Sequence, residues 1–323
     1  MRSLALALVA LLLSLALGEV ALRAAGVRSQ RAQALVDTWA QPNPVLGWET
    51  RPGSTHSDEA GHAPTNFWPD GERASGKDPN KPARKRVVLL GCSFTEGQGV
   101  RDDETYAWLL NERYPEVRFE NRAVAGYGTY QSLLEFERLE REWSRPPDLV
   151  VYGFIGDHRR RNVATLEWVK RLEVSDALYL VPPHVTLEAG ELAFHPQSFV
   201  AWWPLERGSA WLRALHDLWL RIEYAGRGSD KLEVTHRLIA LLAERVREAG
   251  SKLLVVLLAN VPPETPAFLA DRAIPHVDCV NPDYGRDKTL QVGGVGHPSG
   301  RQHALWAGCL ARYFDAQGLF RAK

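Results

Sequence analysis

A serine placed directly after an apolar run is the first feature of this chain that suits chemistry. Ser93 lies in the segment Gly91–Val100 and follows the unbroken apolar run Val87–Leu90. On a turn from a buried strand into a helix, a serine exposes its hydroxyl. The helix N-terminus and the serine N–H then supply positive potential where an oxyanion forms. The residue at position 95 is Thr, so the segment lacks the GxSxG pattern of the α/β-hydrolase elbow. The segment predicts a serine nucleophile, and the competing interpretation is that Ser93 only caps a helix.

The composition excludes several other kinds of chemistry. Lys plus Arg and Asp plus Glu each number 39, so the net charge is zero and no basic footprint for nucleic acid is expected. The ten histidines form no HExxH pattern and the three cysteines form no CxxC pair, so we expect no metal site. Neither Gly-rich run is followed by Lys-Ser/Thr, so a P-loop is absent. No cofactor is expected.

Alternating apolar runs and helical patterns indicate the elements that position Ser93. Runs at 87–90, 149–152 and 253–258 are typical of strands buried on both faces. Helical spacing appears at 106–114, 131–143 and 232–249, the last ending before Gly250. Strands that alternate with helices predict an α/β domain with a parallel sheet covered on both faces, over residues 86–323.

Several short motifs resemble those of the SGNH (GDSL-like) hydrolase family, in its membrane-anchored bacterial form. Gly91-Cys92-Ser93 is similar to the first block, although Cys92 replaces the usual Asp; we expect Cys92 to be a small buried neighbour. Asn121–Gln131 is similar to the second block and Gly296–His303 to the fifth, while Leu46–Trp48, Arg51–Gly53 and Thr65-Asn66 resemble the family's lead-in. The resemblance implies a three-layer α/β/α, flavodoxin-like fold with a parallel central sheet. It also implies Ser93 as nucleophile, His297 as general base, and the N–H groups of Ser93 and Gly126 as oxyanion donors.

Two positions depart from the family pattern. Gly156 stands where the family has the oxyanion-hole Asn, so we expect a backbone N–H there, or the side chains of His158 or Arg159–Arg161, to take its place. Gly294 stands where the family has the Asp that orients the histidine. Asp278, Asp283 or Asp287 are alternatives, as is a backbone carbonyl that leaves a Ser93–His297 dyad. His303 is a second candidate base, for which we expect a structural role.

The rest of the chain divides into a lead-in and an insertion. Residues 30–85 are rich in loop-forming residues and form an extracytoplasmic lead-in. Residues 159–229 interrupt the strand–helix alternation and contain five tryptophans. We predict a hairpin plus a helix here. The tryptophans either form a lid or substrate wall, or pack the insertion onto the domain.

The N-terminal residues 1–29 are an export segment. Leu4–Gly18 is apolar apart from Ser14, and the apolar character resumes after Glu19 up to Val27. The segment is either a cleaved signal peptide or a membrane anchor, and we favour the anchor. Both place the body outside the cytoplasm, in the periplasm or at the cell surface of a bacterium, where a Cys279–Cys309 disulfide is permitted.

These features together predict a serine esterase or O-acyl hydrolase, or an acyltransferase, that acts on an extracytoplasmic ester such as an acetylated glycan. The alternative is a catalytically degenerate protein of the same fold that binds a glycan or envelope partners. The replacements at Gly156 and Gly294 favour this alternative.

Overall fold

The structure is a computed structural model of the 323-residue chain, and it describes residues 2–27, 40–57, 64–175, 178–206, 208–293 and 296–320. In chain order the strands are β1 (Ala40–Asn43), β2 (Gly47–Thr50), β3 (Thr55–His56), β4 (Thr65–Asn66), β5 (Lys85–Leu90), β6 (Val117–Asn121), β7 (Leu149–Ile155), β8 (Glu173–Ser175), β9 (Leu178–Val181), β10 (His184–Glu188), β11 (Glu191–His195), β12 (Ser198–Ala201), β13 (Lys252–Ala259) and β14 (His276–Asp278). The helices are α1 (Arg2–Ala24), α2 (Ser93–Glu96), α3 (Tyr106–Arg113), α4 (Thr129–Glu142), α5 (His158–Asn162), α6 (Leu166–Val169), α7 (Ala210–Glu223), α8 (Lys231–Glu248), α9 (Glu264–Asp271) and α10 (Gly300–Ala316).

A five-stranded parallel sheet organises the domain, in the order β14-β13-β7-β5-β6. Counted along the chain within this sheet, the order is 2-1-3-4-5, which is the flavodoxin-like order. The direction of winding reverses between β5 and β7, and ligands of such sheets bind beyond the carboxyl ends of the strands at that point. The predicted α/β class and parallel sheet are confirmed, and Ser93 follows β5 at the switch point.

Helices cover both faces of the sheet, which makes three layers. Side chains of β5 alternate between two cores: Val87 and Leu89 pack with α3 and α10, whereas Val88 and Leu90 pack with α4 and α8. This alternation follows from the two-residue period of a strand, and it explains why a central strand carries an unbroken apolar run.

The edge strands β6 and β14 carry no such run. In β6, Arg118 and Glu120 alternate with apolar residues, and Glu120 is buried because it pairs with Arg86 at 2.8 Å. A charged residue on a strand does not predict burial when its partner is distant in sequence, so the hydropathy pattern does not reveal this strand.

Residues 159–229, for which a hairpin plus a helix is predicted, contain more strands than that. Between α5 and α7 lie the hairpin β10–β11 and the three-stranded sheet β12-β9-β8. The lead-in also packs closely on the domain: the side chains of Glu72 and Arg73 are buried, and Trp48 is buried next to Tyr127.

The N-terminal helix α1 continues through Glu19 to Ala24 without a break. Among the described residues, Ser3–Ala24 is the one helical segment long and apolar enough to cross a membrane, with a mean hydropathy of 2.4. A signal sequence passes the same test, so this helix is compatible with both predicted forms of the export segment.

Candidate active site

Ser93 is positioned by a glycine at the end of β5. Gly91 has φ +149°, and a Cβ built on it would lie 2.7 Å from Oγ1 of Thr95 and 3.0 Å from the carbonyl oxygen of Gly153. Only glycine permits this close approach of β5 to β7 and to the turn. Ser93 is the first residue of α2, whose N-cap is Cys92, so the interpretation of Ser93 as a helix cap is wrong. Ser93 is buried, with only 3% of its surface exposed to solvent.

The imidazole of His297 reaches this serine. Nε2 of His297 lies 3.0 Å from Oγ of Ser93, within hydrogen-bonding distance. The two residues come from opposite ends of the domain, and the fold brings together the nucleophile and the base that the motifs imply. A serine hydroxyl bonded to an imidazole nitrogen is the arrangement that allows proton transfer during nucleophilic attack.

A short loop holds His297. The backbone N–H of Val292 donates to the carbonyl of His297 at 2.7 Å, and the hydroxyl of Tyr284 donates to the carbonyl of Gly296 at 2.8 Å. The ring of Phe94 lies 5.8 Å from the imidazole, centroid to centroid. Backbone bonds of the loop and the ring of Phe94 contribute to the placement of the imidazole, and the residue is partly exposed.

Two elements hold the peptide between Ala125 and Gly126. The indole Nε1 of Trp48 donates to the carbonyl of Ala125 at 2.9 Å, and the N–H of Ala125 interacts with the carboxylate of Glu96. Gly126 has φ +85°, and a Cβ on it would lie 2.8 Å from the Trp48 ring. Within the described ranges, the N–H groups of Ser93 and Gly126 have no hydrogen-bond acceptor. Two such donors are what an oxyanion hole needs.

Gly156, which occupies the family's Asn position, is packed against the end of β13. Its N–H donates to the carbonyl of Ala259 at 3.0 Å, and a Cβ on it would lie 1.8 Å from the carbonyl oxygen of Asn260. No side chain fits there. The oxyanion role expected for Gly156 stays a prediction, and it would require its N–H to leave Ala259. Asn260 itself has φ +49° and is one of the residues that line the cleft that contains His297.

The three aspartates proposed as orienting partners make no hydrogen bond or ion pair with His297 among the contacts of the described residues. Asp278 accepts from the N–H of Val280, and Asp287 accepts from Thr289 and pairs with Arg301 at 3.2 Å. Gly294, which stands in the family's Asp position, lies outside the described residues.

Other candidate residues have structural roles or line the cleft. His158 is buried with Nδ1 2.6 Å from the Tyr152 hydroxyl, and burial holds the pKa of this imidazole well below its ordinary value. His303 is buried and accepts from the N–H of Tyr106; burial, and secondarily the Arg73 charge, lowers its pKa to about 3. Both histidines lie in the core.

Arg159 and Cys92 complete the residues singled out near Ser93. Arg159 donates to the carbonyl of Gly156, and Cys92 is buried and forms no disulfide.

A buried ion cluster behind α2 carries no local sequence signal. Arg73 is fully buried, 2.9 Å from Asp102, and it also interacts with the carboxylate of Glu96. Burial raises the pKa of Glu96 to about 7, against the opposing effect of Arg73. Because Glu96 also interacts with the Ala125 N–H, this cluster joins the lead-in to the candidate oxyanion peptide.

A cleft of about 900 Å³ opens beside His297. Its wall includes Phe94, Arg160, Arg171, Asn260, Arg286 and His297. Arg161, another wall residue, donates to the carbonyl of Tyr127 at 2.8 Å and lies over the ring of Trp168. The ring of Trp168 is 3.5 Å from a Cβ built on Gly126, so one insertion tryptophan packs beside the candidate oxyanion peptide.

The cysteines Cys279 and Cys309 form a disulfide, as the sequence permits outside the cytoplasm. It joins the end of β14 to α10, the helix that follows the His297 loop. Packing of Trp306 next to it, with its indole donating to the carbonyl of Cys279 at 3.1 Å, fixes α10 on the sheet.

Solved structures of comparable layout come from lipolytic enzymes. A G-D-S-L family protein from Veillonella parvula is 10% identical, with a TM-score of 0.42, over 71% of this chain and 98% of that one. The esterase EstA from Pseudoalteromonas is 10% identical with a TM-score of 0.42, over 72% and 99%. A GDSL-like lipase from Bacteroides thetaiotaomicron is 17% identical with a TM-score of 0.39, over 73% and 92%. No protein-family model and no curated protein matches the chain.

Proposed function

We propose that this protein is a serine ester hydrolase of the SGNH type. The observation that carries the proposal is the 3.0 Å contact between Oγ of Ser93 and Nε2 of His297, beyond the carboxyl end of β5. The position is the switch point of the sheet, where α/β folds place their ligands. The N–H groups of Ser93 and Gly126 support it as the oxyanion donors.

The reaction follows from these groups. Oγ of Ser93 attacks the ester carbonyl carbon while its proton passes to Nε2 of His297, and the carbonyl oxygen becomes an oxyanion held by the two N–H groups. Collapse breaks the bond to the alcohol, which takes the proton from His297. A water, or the hydroxyl of an acceptor in a transferase, then attacks the acyl-serine and gives its proton to His297; the bond between the acyl carbon and Oγ of Ser93 breaks, and Oγ takes the proton back from His297.

The substrate we propose is an extracytoplasmic ester, of which an O-acetylated glycan is the leading example. Three features support this: the apolar helix α1, the Cys279–Cys309 disulfide, and an open cleft of about 900 Å³ whose wall carries several arginines and Asn260. Disulfides persist in oxidising compartments, and a wide polar cleft suits a sugar better than a long acyl chain. We place the protein in the periplasm or at the cell surface, held to the inner membrane by α1.

A fluorophosphonate probe tests the nucleophile directly. The full chain in detergent is treated with the probe beside two variants: Ser93→Ala, and Ser229→Ala, which removes an exposed hydroxyl bonded to the carbonyl of Gly226. We expect the wild type and Ser229→Ala to be labelled and Ser93→Ala to be unlabelled. Hydrolysis of an acetyl ester is expected to fall by about 10³-fold or more in Ser93→Ala.

The absence of labelling in a wild type shown to be folded by circular dichroism would contradict the proposal. That result would favour the degenerate binding protein, because Gly156 supplies no side chain to the oxyanion site. Binding of acetylated and deacetylated glycan to the unlabelled wild type would then be compared.

A further inference from the structure

The helix α7 presents an apolar side to the outside of the protein, unlike an ordinary surface helix. Its outward side carries Trp211, Leu215, Leu218, Trp219 and Ile222, all exposed, with Leu218 54% and Ile222 68% exposed. Their spacing places them on one side of a helix. The inward side buries Arg213 and His216 together with Ala210 and Leu220. A helix of this kind faces an apolar partner and not water.

The inward polar residues are satisfied within the insertion. Nδ1 of His216 lies 2.6 Å from the carboxylate of Glu206, and the guanidinium of Arg213 lies over the ring of Trp202 and 3.5 Å from Glu206. These partners fix the rotation of α7 about its axis, so its apolar side is held outward by buried contacts.

The start of α7 is bonded to α1. The carboxylate of Glu19 accepts from the backbone N–H groups of Ala210 at 2.8 Å and of Trp211 at 3.2 Å. The indole of Trp211 donates to the carbonyl of Leu15 at 3.0 Å, and Arg23 donates to the carbonyl of Gly208 at 2.7 Å. The apolar side of α7 is therefore continuous with the apolar helix α1.

A close contact at Gly18 reinforces this junction. A Cβ built on Gly18 would lie 2.3 Å from the ring of Trp211, so the ring lies directly on the α1 backbone. Tryptophan is enriched at the membrane–water interface, where its apolar ring contacts lipid and its N–H finds a hydrogen-bond partner. Glu19 and Arg23 near the end of α1 also indicate the membrane–water interface, since charged side chains avoid the hydrocarbon centre.

We infer that the outward face of α7 lies in the lipid bilayer surface, as an interfacial helix beside the membrane-spanning α1. The occupant of the face is lipid. From Arg2 to Glu19, where the start of α7 is bonded, α1 extends about 27 Å, close to the thickness of the hydrocarbon core, so α7 starts at one membrane surface. The exposed charges Arg221 and Glu223 on α7 balance, so burial of apolar side chains supplies the affinity. A second attachment restricts rotation of the domain about its anchor.

The test uses the full chain in phosphatidylcholine vesicles that contain nitroxide-labelled phosphatidylcholine. The variants Leu218→Cys and Ile222→Cys are each labelled with an environment-sensitive NBD fluorophore. Glu112→Cys, at an exposed position of α3, is the matched control. The native cysteines do not interfere, because Cys92 is buried and the other two form the disulfide.

We expect blue-shifted emission and strong quenching by the nitroxide lipid at positions 218 and 222, and neither at position 112. Unshifted, unquenched emission at positions 218 and 222 would overturn the inference. Efficient disulfide cross-linking between copies through Leu218→Cys, without lipid quenching, would also overturn it and assign the face to a second copy. None of these readouts depends on Ser93, so they are independent of the proposed esterase activity.

Discussion

The two sides of the candidate site are held in different ways. Ser93 and Gly126 are held by buried groups: Gly91 at the end of β5, Trp48 from the lead-in, and Glu96 with its ion cluster. His297 is held by backbone bonds of a partly exposed loop and by the ring of Phe94. The side with Ser93 and Gly126 is thus held within the core, whereas the loop with His297 lies at the edge of the core and is partly exposed. Changes on the first side should affect stability and activity together, and changes on the second should affect activity alone.

The largest effect that separates the two sides is expected for His297→Gln. Loss of the base should lower ester hydrolysis by about 10³- to 10⁴-fold, because attack by a neutral serine hydroxyl has no proton acceptor. The thermal unfolding midpoint should stay close to that of the wild type, since the imidazole is partly exposed. Steady-state kinetics and thermal denaturation check this. His303→Gln is the control: it removes a buried ring stacked on Tyr106, so it should lower the unfolding midpoint more than His297→Gln does. The opposite order of midpoints would contradict the comparison.

On the core side, Gly126→Ala is expected to lower turnover by about 10²- to 10³-fold, the cost of losing one oxyanion donor. The added methyl would be 2.8 Å from the Trp48 ring, so the peptide must move. Gly190→Ala is a matched control, because Gly190 has the same φ of +85° and nothing within 4 Å of its Cβ position. Gly190→Ala therefore carries the same backbone strain from positive φ as Gly126→Ala but has no close contact with a neighbouring side chain.

If both variants retained the same kcat, the Gly126 N–H would not contact the reacting oxygen. If both were equally destabilised and only Gly126→Ala lost activity, the peptide would be assigned to the oxyanion hole.

The pH dependence of stability tests how deeply the core side is buried. Because the pKa of Glu96 is about 7 when folded, against an ordinary value of 4.5, the folded state keeps a proton that the unfolded state has lost between these pH values. The contribution of Glu96 to wild-type stability therefore falls as pH rises from about 4.5 through 7. Glu96→Gln has no carboxyl group that titrates in this range. Its free energy of unfolding should therefore rise, relative to that of the wild type, by up to roughly 3 kcal/mol between pH 4.5 and 7.

Urea denaturation of both proteins at several pH values measures this difference, with the exposed Glu112→Gln as control. A relative stability of Glu96→Gln that does not change with pH would show that Glu96 is ionised throughout and held by Arg73.

The sequence predicts the central strands and the reacting pair because both have local signals. The run before Ser93 follows from burial on two faces, and the segment around His297 resembles a family motif. The supporting groups have no local signal. Trp48 reaches Ala125 across 77 residues, and Arg73 and Glu120 are charges whose burial depends on partners elsewhere in the chain. The inward-facing polar side of α7 belongs to the same class, because a helical apolar stripe in a sequence does not say which side faces the protein.

Asn260 gives the smallest expected effect, and it packs against Gly156 and lines the cleft that contains His297. Its carbonyl fills the space that a side chain at Gly156 would need, and Asn260 is one of the residues of the cleft wall. Asn260 is exposed, so water weakens any hydrogen bond from its amide to the oxyanion; if that bond forms, Asn260→Gly should lower kcat by about fivefold, the value of one neutral hydrogen bond near 1 kcal/mol. Glycine adopts the positive φ of +49° without strain, so the substitution should leave the backbone conformation unchanged. Asn281→Gly is the comparison, since Asn281 lines the same cleft but donates to Gln302. Equal kcat values for the two variants and the wild type would leave Ser93 and Gly126 as the candidate donors, with no third group beside Gly156.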